Sequence, residues 1–292
     1  MRRMISLPRR AVHAYRDVRI RLLGKAPSWR RVSRDLEMQI DPSDWMDRAF
    51  YLGTYDPALL WLVRRVVRPG HHALDVGAQK GFVSLHLARA VGAAGRVLAF
   101  EPDPRMHAQL ERHRDRNRLG WLDIEPLALG RESATSSFAL SRVAGWSSLF
   151  PNPEALSAMS ERVEIPVRSL DELVRTAAVR LDPRRLSFVK IDVEGAEPLA
   201  LQGMRETLAT ADATLWVEVN RASLAAAGST PGSISEALES AGYRALLPRF
   251  SRRLGLPHVT LEPLRSLDDV PHEVFDVVGQ RASSPPLVRS GR

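Results

Sequence analysis

The chain contains no cysteine among its 292 residues. Disulfides, thiolate metal ligands and a cysteine nucleophile are therefore excluded. No apolar run reaches the roughly 18 residues that a membrane-spanning helix needs. The first residues also lack the apolar stretch of a secretory signal, so we expect a cytoplasmic protein.

Acidic residues are scarce at the N-terminus, and this sets the overall charge. Residues 1–34 contain eleven arginines or lysines and one acid, Asp17, which makes +10, whereas the whole chain carries +8. The remaining residues therefore carry −2. Because the basic charge lies outside the expected core, we predict no nucleic-acid partner.

The basic segment has an apolar stripe. Ala11, Tyr15, Val18 and Leu22 lie at helical spacing within residues 9–24, with arginines between them. This pattern is typical of a basic amphipathic helix that lies on an anionic surface, such as the inner face of a membrane. A solvated arm without a partner is the alternative interpretation.

Strand and helix patterns alternate along most of the chain. Strands are predicted at 72–78, 96–101, 122–129, 186–192, 213–219, 242–248 and 273–280. Helices are predicted at 58–68, 82–91, 104–117, 171–178, 198–209 and 232–241. This alternation indicates an α/β fold with a seven-stranded, mostly parallel sheet and helices on both faces.

We divide the chain into three parts. A basic arm and lead-in occupies residues 1–57, the main domain 58–281 and a disordered tail 282–292. The alternation is interrupted over residues 130–170, which we interpret as an insertion over the carboxyl edge of the sheet. The sequence does not indicate an oligomeric state.

The first strand runs into a glycine loop at residues 75–81. Gly77 and Gly81 permit tight turns and a close approach of the backbone to a ligand. The dinucleotide pattern G-x-G-x-x-G is not met, because Val76 and Ala78 stand where its first two glycines would be. A diphosphate is therefore disfavoured, while Asp75 could receive an ammonium group.

A second acidic residue follows the next strand. Glu101 lies twenty residues after Gly81, an offset at which an acid accepts hydrogen bonds from ribose hydroxyls. A ribose without a diphosphate, attached to a cationic amino-acid moiety, describes S-adenosylmethionine. We predict this molecule as the cofactor.

Three carboxylates lie at and just after the end of the strand predicted at 186–192. Asp192 and Glu194 are two residues apart, so an extended chain would place both on one face. Because buried acids are costly, we expect solvent or a ligand beside Asp192, Glu194 and Glu197. Asp192 with Glu194 could also bind a divalent cation, but no spacing matches a dedicated metal site.

Four segments together resemble the successive motifs of FkbM-type methyltransferases, a class I family that depends on S-adenosylmethionine. They are Asp75-Val-Gly-Ala-x-x-Gly-x-x-Ser84, Phe100-Glu-Pro-x-Pro104, Arg168-Ser-Leu-Asp-Glu-Leu173 and Lys190-Ile-Asp-Val-Glu-Gly-Ala-Glu197. The resemblance covers about residues 50–280 and implies a Rossmann-like class I methyltransferase domain. One departure is Gln79-Lys80, where the family usually has Asn followed by an apolar residue or threonine.

The resemblance also implies roles for individual residues. The methionine part of the cofactor would be bound by the first loop, the ribose by the second acid, and the adenine by residues after the third strand. The methyl group and the acceptor would lie beside the last two acids. The residues of the first loop are Asp75, Gly77, Ala78 and Gly81, and the second acid is Glu101. Leu127 and Ala128 follow the third strand. Asp192 and Glu194 are the two acids beside the methyl group and the acceptor.

We therefore predict a methyltransferase that acts on a hydroxyl of a small or glycosidic acceptor: a sugar, a glycolipid or a secondary metabolite. Asp192 or Glu194 is the predicted general base. O-methylation follows from the resemblance, and the spacing does not exclude N-methylation.

Trp146, Glu218 and Asn220 are further candidates for acceptor contacts. The alternatives are a nicotinamide-dependent oxidoreductase and a non-catalytic interaction module with a degenerate pocket.

Overall fold

A computed structural model describes residues 19–143, 145–253, 256–285 and 287. Most of the predicted amphipathic helix at 9–24 and most of the predicted tail lie outside these residues. The strands are β1 (Ser28–Ser33), β2 (Leu36–Ile40), β3 (His72–Val76), β4 (Arg96–Phe100), β5 (Leu122–Glu125), β6 (Ala128–Leu129), β7 (Ala134–Ser141), β8 (Met159–Arg168), β9 (Leu186–Ile191), β10 (Thr214–Asn220), β11 (Tyr243–Arg253), β12 (Leu256–Pro263) and β13 (Val274–Arg281).

The α-helices of the described residues include short and long segments. They are α1 (Trp45–Leu52), α2 (Pro57–Val66), α3 (Phe82–Val91), α4 (Pro104–Arg116), α5 (Pro153–Ala158), α6 (Leu170–Arg175), α7 (Glu197–Gln202), α8 (Arg205–Thr210), α9 (Arg221–Ala226) and α10 (Pro231–Ser240). None of the described helices is long and apolar enough to cross a bilayer.

The main sheet has the order β12-β11-β13-β10-β9-β3-β4-β5. Strands β10, β9, β3, β4 and β5 are parallel, and β13 runs antiparallel between β10 and β11. The mostly parallel sheet predicted from the sequence is confirmed, and each of its seven predicted strands has a counterpart.

The strand count was one too low, because β12 adds an eighth strand at the edge beside β11. Proline at 257 and 263 counts against a strand in the sequence. An edge strand tolerates proline, since part of its backbone has no partner strand to receive an N–H.

Two predicted elements are divided in the structure. The strand predicted at 122–129 becomes β5 and β6, which belong to different sheets, and Pro126 between them lacks the N–H needed to continue the ladder. The helix predicted at 198–209 becomes α7 and α8. The carbonyl of Gly203 between them accepts bonds from Asp171 N and Ser169 Oγ instead of continuing the helix.

The sheet lies between two apolar cores. In β3, Leu74 packs in the core that holds α10, whereas Ala73 packs in the core that holds α3. Helices therefore cover both faces, as the alternating pattern predicted.

The lead-in and the insertion both pack near the carboxyl edge of the main sheet. Met38, Ile40 and Phe50 of the lead-in are buried in the same core as α3. The insertion forms a three-stranded sheet in the order β6-β8-β7, with its own small core around Phe138 and Ile165. These two segments supply walls for the cavity described next.

Candidate active site

A cavity of about 380 Å³ opens at the carboxyl ends of β3, β4 and β9. Small-molecule sites have this size and this position in open α/β sheets. Of the residues predicted for the site, Asp75, Gly77, Ala78, Glu101, Leu127, Ala128, Asp192 and Glu194 line the cavity. Gly81 does not, because it lies beneath the loop, at the start of α3.

The glycine loop is shaped by close contact with neighbouring segments. Gly77 has φ of +81°, and a Cβ at this position would lie 1.9 Å from the carbonyl oxygen of Asp192. Gly81 has φ of +86°, and a Cβ there would lie 2.0 Å from the side chain of Leu110. Both positions therefore exclude larger residues. Gln79 also has a positive φ, +49°. The loop is therefore strained, and contacts with neighbouring segments must maintain its conformation.

Asp75 is fully buried, and its two oxygens have different surroundings. Oδ2 accepts a 2.5 Å hydrogen bond from Ser84 Oγ, whereas Oδ1 has no hydrogen-bond partner in the structure. The Nζ of Lys190 lies 3.6 Å from this Oδ1. Burial raises the pKa of Asp75, and the charge of Lys190 opposes that shift.

Lys190 was not singled out in the sequence as a site residue. Its Nζ donates to the carbonyl of Gly77 at 2.7 Å and lies 3.2 Å from Asp192 Oδ2. Burial works to lower its pKa, but Asp192 and Asp75 outweigh burial and raise it. The signal in the sequence was that Lys190 and Asp192 alternate in one motif. The pairing of Lys190 with Asp75 depends on the register between β9 and β3, which the sequence does not show.

Glu101 has a carboxylate held by two backbone N–H groups. Gln79 N donates to Oε2 at 2.6 Å and Asp103 N to Oε1 at 2.8 Å. Burial raises the pKa of Glu101 to about 7, against the effect of these two N–H groups. Each carboxylate oxygen can accept further bonds, so the side chain is able to bind a hydroxyl in the cavity.

The predicted adenine end is walled by the insertion. Leu127 and Ala128 line it together with Phe138 and Leu149. Trp146, predicted to cover an acceptor, is not among the lining residues.

An ion pair fastens the insertion to the strand-β4 end of the cavity. Arg105 Nη2 pairs with Asp103 Oδ2 at 2.6 Å and donates to the carbonyl of Ser141 at 3.0 Å. Ser147 Oγ donates to the same Asp103 oxygen at 3.1 Å. Neither Arg105 nor Ser141 was singled out in the sequence.

The prediction that Asp192 and Glu194 leave an extended chain on one face is wrong. Strand β9 ends at Ile191, and the chain turns at Glu194, whose φ is +51°. Asp192 faces Lys190, whereas Glu194 Oε2 accepts from Ser223 Oγ at 2.9 Å and from Asn220 Nδ2 at 3.3 Å. Both residues still line the cavity, because the turn returns Glu194 to the same edge.

The third carboxylate of the motif needs neither solvent nor a ligand. Glu197 is 1% exposed and accepts from the backbone N–H groups of Val193 and Gly195 at 3.0–3.1 Å. It therefore holds the turn that carries Glu194. Burial raises its pKa to about 7, while those N–H groups oppose the shift.

Further acids surround Lys190 and Asp192. Asp192 and then burial raise the pKa of Glu218, and burial with Asp56 and Asp192 raises that of Asp276. Burial raises the pKa of Glu194 to about 8, and Asp192 adds to the shift. The described residues include no group of three or more His, Asp or Glu side chains suited to a metal ion.

The lead-in supplies a wall that no sequence motif indicated. Asp44, Met46, Phe50 and Tyr55 line the cavity opposite the glycine loop. Burial and the nearby Asp192 raise the pKa of the Tyr55 hydroxyl. These residues precede the first motif by twenty positions or more, so only packing brings them to the site.

Known proteins similar to this chain are methyltransferases. "Methyltransferase 1" of Beauveria bassiana (strain ARSEF 2860) is 26% identical over an alignment of 145 residues that covers 45% of this chain. The chain spans 57% of the length of that relative.

Several solved structures are similar to this chain at low sequence identity. A methyltransferase FkbM of Methylobacillus flagellatus KT is 15% identical, with a TM-score of 0.42, 92% of this chain covered and 60% of the other. An O-methyltransferase of Thermotoga maritima, described as dependent on S-adenosylmethionine, is 13% identical, with a TM-score of 0.40, 78% of this chain covered and 66% of the other.

The methyltransferase FkbM domain matches residues 75–245, more than half of the chain. The match contains the glycine loop, Glu101 and the Asp192–Glu197 turn, which are the segments that form the cavity. The chain therefore belongs to the FkbM methyltransferases.

Proposed function

We propose that this protein transfers the methyl group of S-adenosylmethionine to a hydroxyl of a sugar, a glycolipid or a secondary metabolite. The observation that carries the proposal is that the acidic residues Asp192 and Glu194 line the same cavity as the buried acids Asp75 and Glu101, with Lys190 between Asp192 and Asp75. The pair would serve the acceptor and the two buried acids would serve the cofactor.

The residues present fit this cofactor. Asp75 Oδ1 is buried without a hydrogen-bond partner, a costly state that a donor from a ligand would relieve. Glu101 has lone pairs left for ribose hydroxyls. Leu127, Ala128 and Phe138 offer apolar surface for an adenine ring, and Gly77 lets the loop lie directly against the end of β9.

The chemistry places definite demands on the protein. When bound, the cofactor supplies an electrophilic methyl group on a sulfonium. The protein must hold the acceptor oxygen in line with that group and accept the hydroxyl proton. Glu194 is suited to the proton, because its raised pKa makes it a stronger base than an ordinary carboxylate. Lys190 offsets the charge of Asp192 beside it.

The polar groups at the acceptor end favour a ligand with several hydroxyls. Tyr55 and Asp192 line the cavity and can each bond to a hydroxyl. Asn220 and Ser223 donate to Glu194 Oε2 and hold that carboxylate in place. A sugar offers several acceptors and donors at once. A partner for the basic arm remains part of the proposal: the arm would bring the enzyme to an anionic membrane face or to an acidic glycolipid.

The proposal is tested by the products and by binding. The full-length protein is incubated with labelled S-adenosylmethionine and a fractionated extract of the source cells, and the labelled product is analysed by mass spectrometry. A methyl ether is the expected linkage, and a methylamine would overturn O-methylation. In calorimetry, S-adenosylhomocysteine should bind and NAD should not; the reverse result would support the oxidoreductase alternative.

A further inference from the structure

The departure from the family pattern at Lys80 connects the cofactor loop to the lead-in. Lys80 is 7% exposed. Its Nζ lies 2.5 Å from Asp44 Oδ2 and 2.9 Å from Asp47 Oδ1. Burial works to lower the pKa of Lys80, but the two carboxylates outweigh burial and raise it. The ammonium group is thus a buried charge that depends on both acids.

Each acid uses its second oxygen to order the lead-in itself. Asp44 Oδ1 caps α1 by accepting from Met46 N at 2.8 Å. Asp47 Oδ2 accepts from Asp41 N at 2.9 Å. The carboxylates reach Lys80 in this arrangement only when the start of α1 is folded.

A second contact ties the same residue to β2. His113 is fully buried; its Nδ1 lies 2.8 Å from the carbonyl of Lys80, and its Nε2 accepts from Gln39 N at 3.0 Å. Because Nε2 is an acceptor, the proton lies on Nδ1 and is donated to Lys80. Burial lowers the pKa of His113 to about 4, which keeps this ring neutral.

Aromatic packing continues the connection beyond the loop. Phe50 of α1 stacks on Phe82, the first residue of α3, with ring centroids 4.3 Å apart. Tyr55 meets both rings edge-on. The loop from Gly77 to Gly81 is therefore held between the lead-in and α3.

We propose that Lys80 is a positioning residue for the cofactor, which locks the lead-in over the glycine loop and makes residues 36–55 part of the cofactor site. The loop contains the strained Gln79, whose backbone N–H is one of the two that hold Glu101. The clamp of Lys80, Asp44 and Asp47 maintains this strained geometry. By reciprocity, cofactor binding stabilises the lead-in. The inference rests on the proposed assignment of the cofactor to this cavity.

The test uses the full-length protein, S-adenosylhomocysteine as the probe, and a variant that removes every charge of the clamp, K80M/D44N/D47N. This variant leaves no unpaired buried charge, which a single substitution of Lys80 would do. The variant should bind the probe about tenfold or more weakly by calorimetry. The milder D44N, in which Asn still caps α1, should weaken binding less.

Hydrogen exchange supplies a readout that a merely structural role would not move. In the wild type, the probe should slow exchange over residues 36–52, and the charge-free variant should lose this response. Without the probe, the same variant should exchange faster in residues 36–52 and 77–81 together.

The control is R89M, which removes the exposed ion pair between Arg89 of α3 and Asp35 of the lead-in. That pair does not touch the glycine loop, so R89M should retain wild-type affinity for the probe. Wild-type affinity in D44N and in a folded charge-free variant would overturn the inference while leaving the cofactor site intact. If the wild type itself did not bind the probe, the proposed cofactor site would fail, and unchanged exchange at 77–81 in the charge-free variant would overturn the clamp separately.

Discussion

Glu101 lies at the end of β4 and lines the cavity. Its carboxylate accepts from the N–H groups of Gln79 and Asp103, and we propose that it also accepts hydrogen bonds from the ribose of the cofactor. Substitution by Ala should weaken S-adenosylhomocysteine binding by about 1.5–3 kcal/mol, the range for a hydrogen bond to a charged group. Calorimetry measures this effect directly.

The matched control for Glu101 is Glu125, an acid at the end of the neighbouring strand β5 that does not line the cavity. Glu125→Ala should leave the affinity unchanged. Equal losses in both variants would indicate general destabilisation and would argue against a ribose contact by Glu101.

Glu194 is a candidate general base whose protonation falls in an accessible pH range. Burial and the charge of Asp192 raise its pKa to about 8, and a general base must be deprotonated to act. The single-turnover rate should therefore rise with pH through about 8. Glu194→Gln should lower the rate about 100-fold or more and abolish the rise.

Asp192→Asn distinguishes the two acids. Removal of the negative charge beside Glu194 should lower the pKa of Glu194, so the rise in rate should move to lower pH if Glu194 is the base. A variant that loses activity at every pH, while Glu194→Gln stays active, would assign the base to Asp192. Near-normal single-turnover rates in both variants would show that neither residue is the base.

At the scale of elements, the contact between the β3–α3 loop and the end of β9 sets the shape of the cofactor site. Gly77→Ala would place a Cβ 1.9 Å from the carbonyl of Asp192, so one of the two segments must move. We expect a loss of stability greater than the roughly 1 kcal/mol typical of Gly→Ala at a positive φ, together with weaker cofactor binding. Thermal unfolding and calorimetry measure the two effects.

Gly53→Ala is the control for Gly77→Ala. Gly53 also has a positive φ, +66°, but no atom lies within 4 Å of a Cβ built there. It should lose about 1 kcal/mol of stability and retain its affinity. A Gly77→Ala variant no worse than this control would show that the loop does not need its close approach to β9.

At the scale of the whole molecule, the basic arm is the part with an untested partner. The deletion suggested by charge alone, residues 1–34, would remove β1, which pairs with β2 and completes the lead-in hairpin. Deletion of residues 1–18 preserves that hairpin and removes five arginines. Since each basic residue near an anionic membrane contributes about 1 kcal/mol, sedimentation with phosphatidylserine liposomes at low salt should fall sharply.

The deletion should leave S-adenosylhomocysteine binding unchanged, and neutral phosphatidylcholine liposomes serve as the control surface. Full-length protein that ignores anionic liposomes at low salt would exclude the membrane as the partner of the arm.

The amino-acid sequence by itself determined the order of the main strands and helices, because their patterns are local. It also indicated the family, and it predicted Asp75, Gly77 and Glu101 as site residues because they stand directly at strand ends. Proline at 126 and glycine at 203 divided two predicted elements, and their effect depended on which neighbours received the freed backbone groups.

Only the tertiary structure decided how the charged groups are paired. Lys190 lies between Asp75 and Asp192 because β9 pairs with β3 in one particular register. Glu197 is held within its own turn. Glu194 has a left-handed backbone, which directs its side chain to the end of β10, and no hydrophobic pattern reveals that conformation. The contact of Lys80 with Asp44 and Asp47 spans more than thirty residues. It arises because the lead-in and α3 pack in one apolar core. Their relative placement is a property of the folded core and not of any local segment.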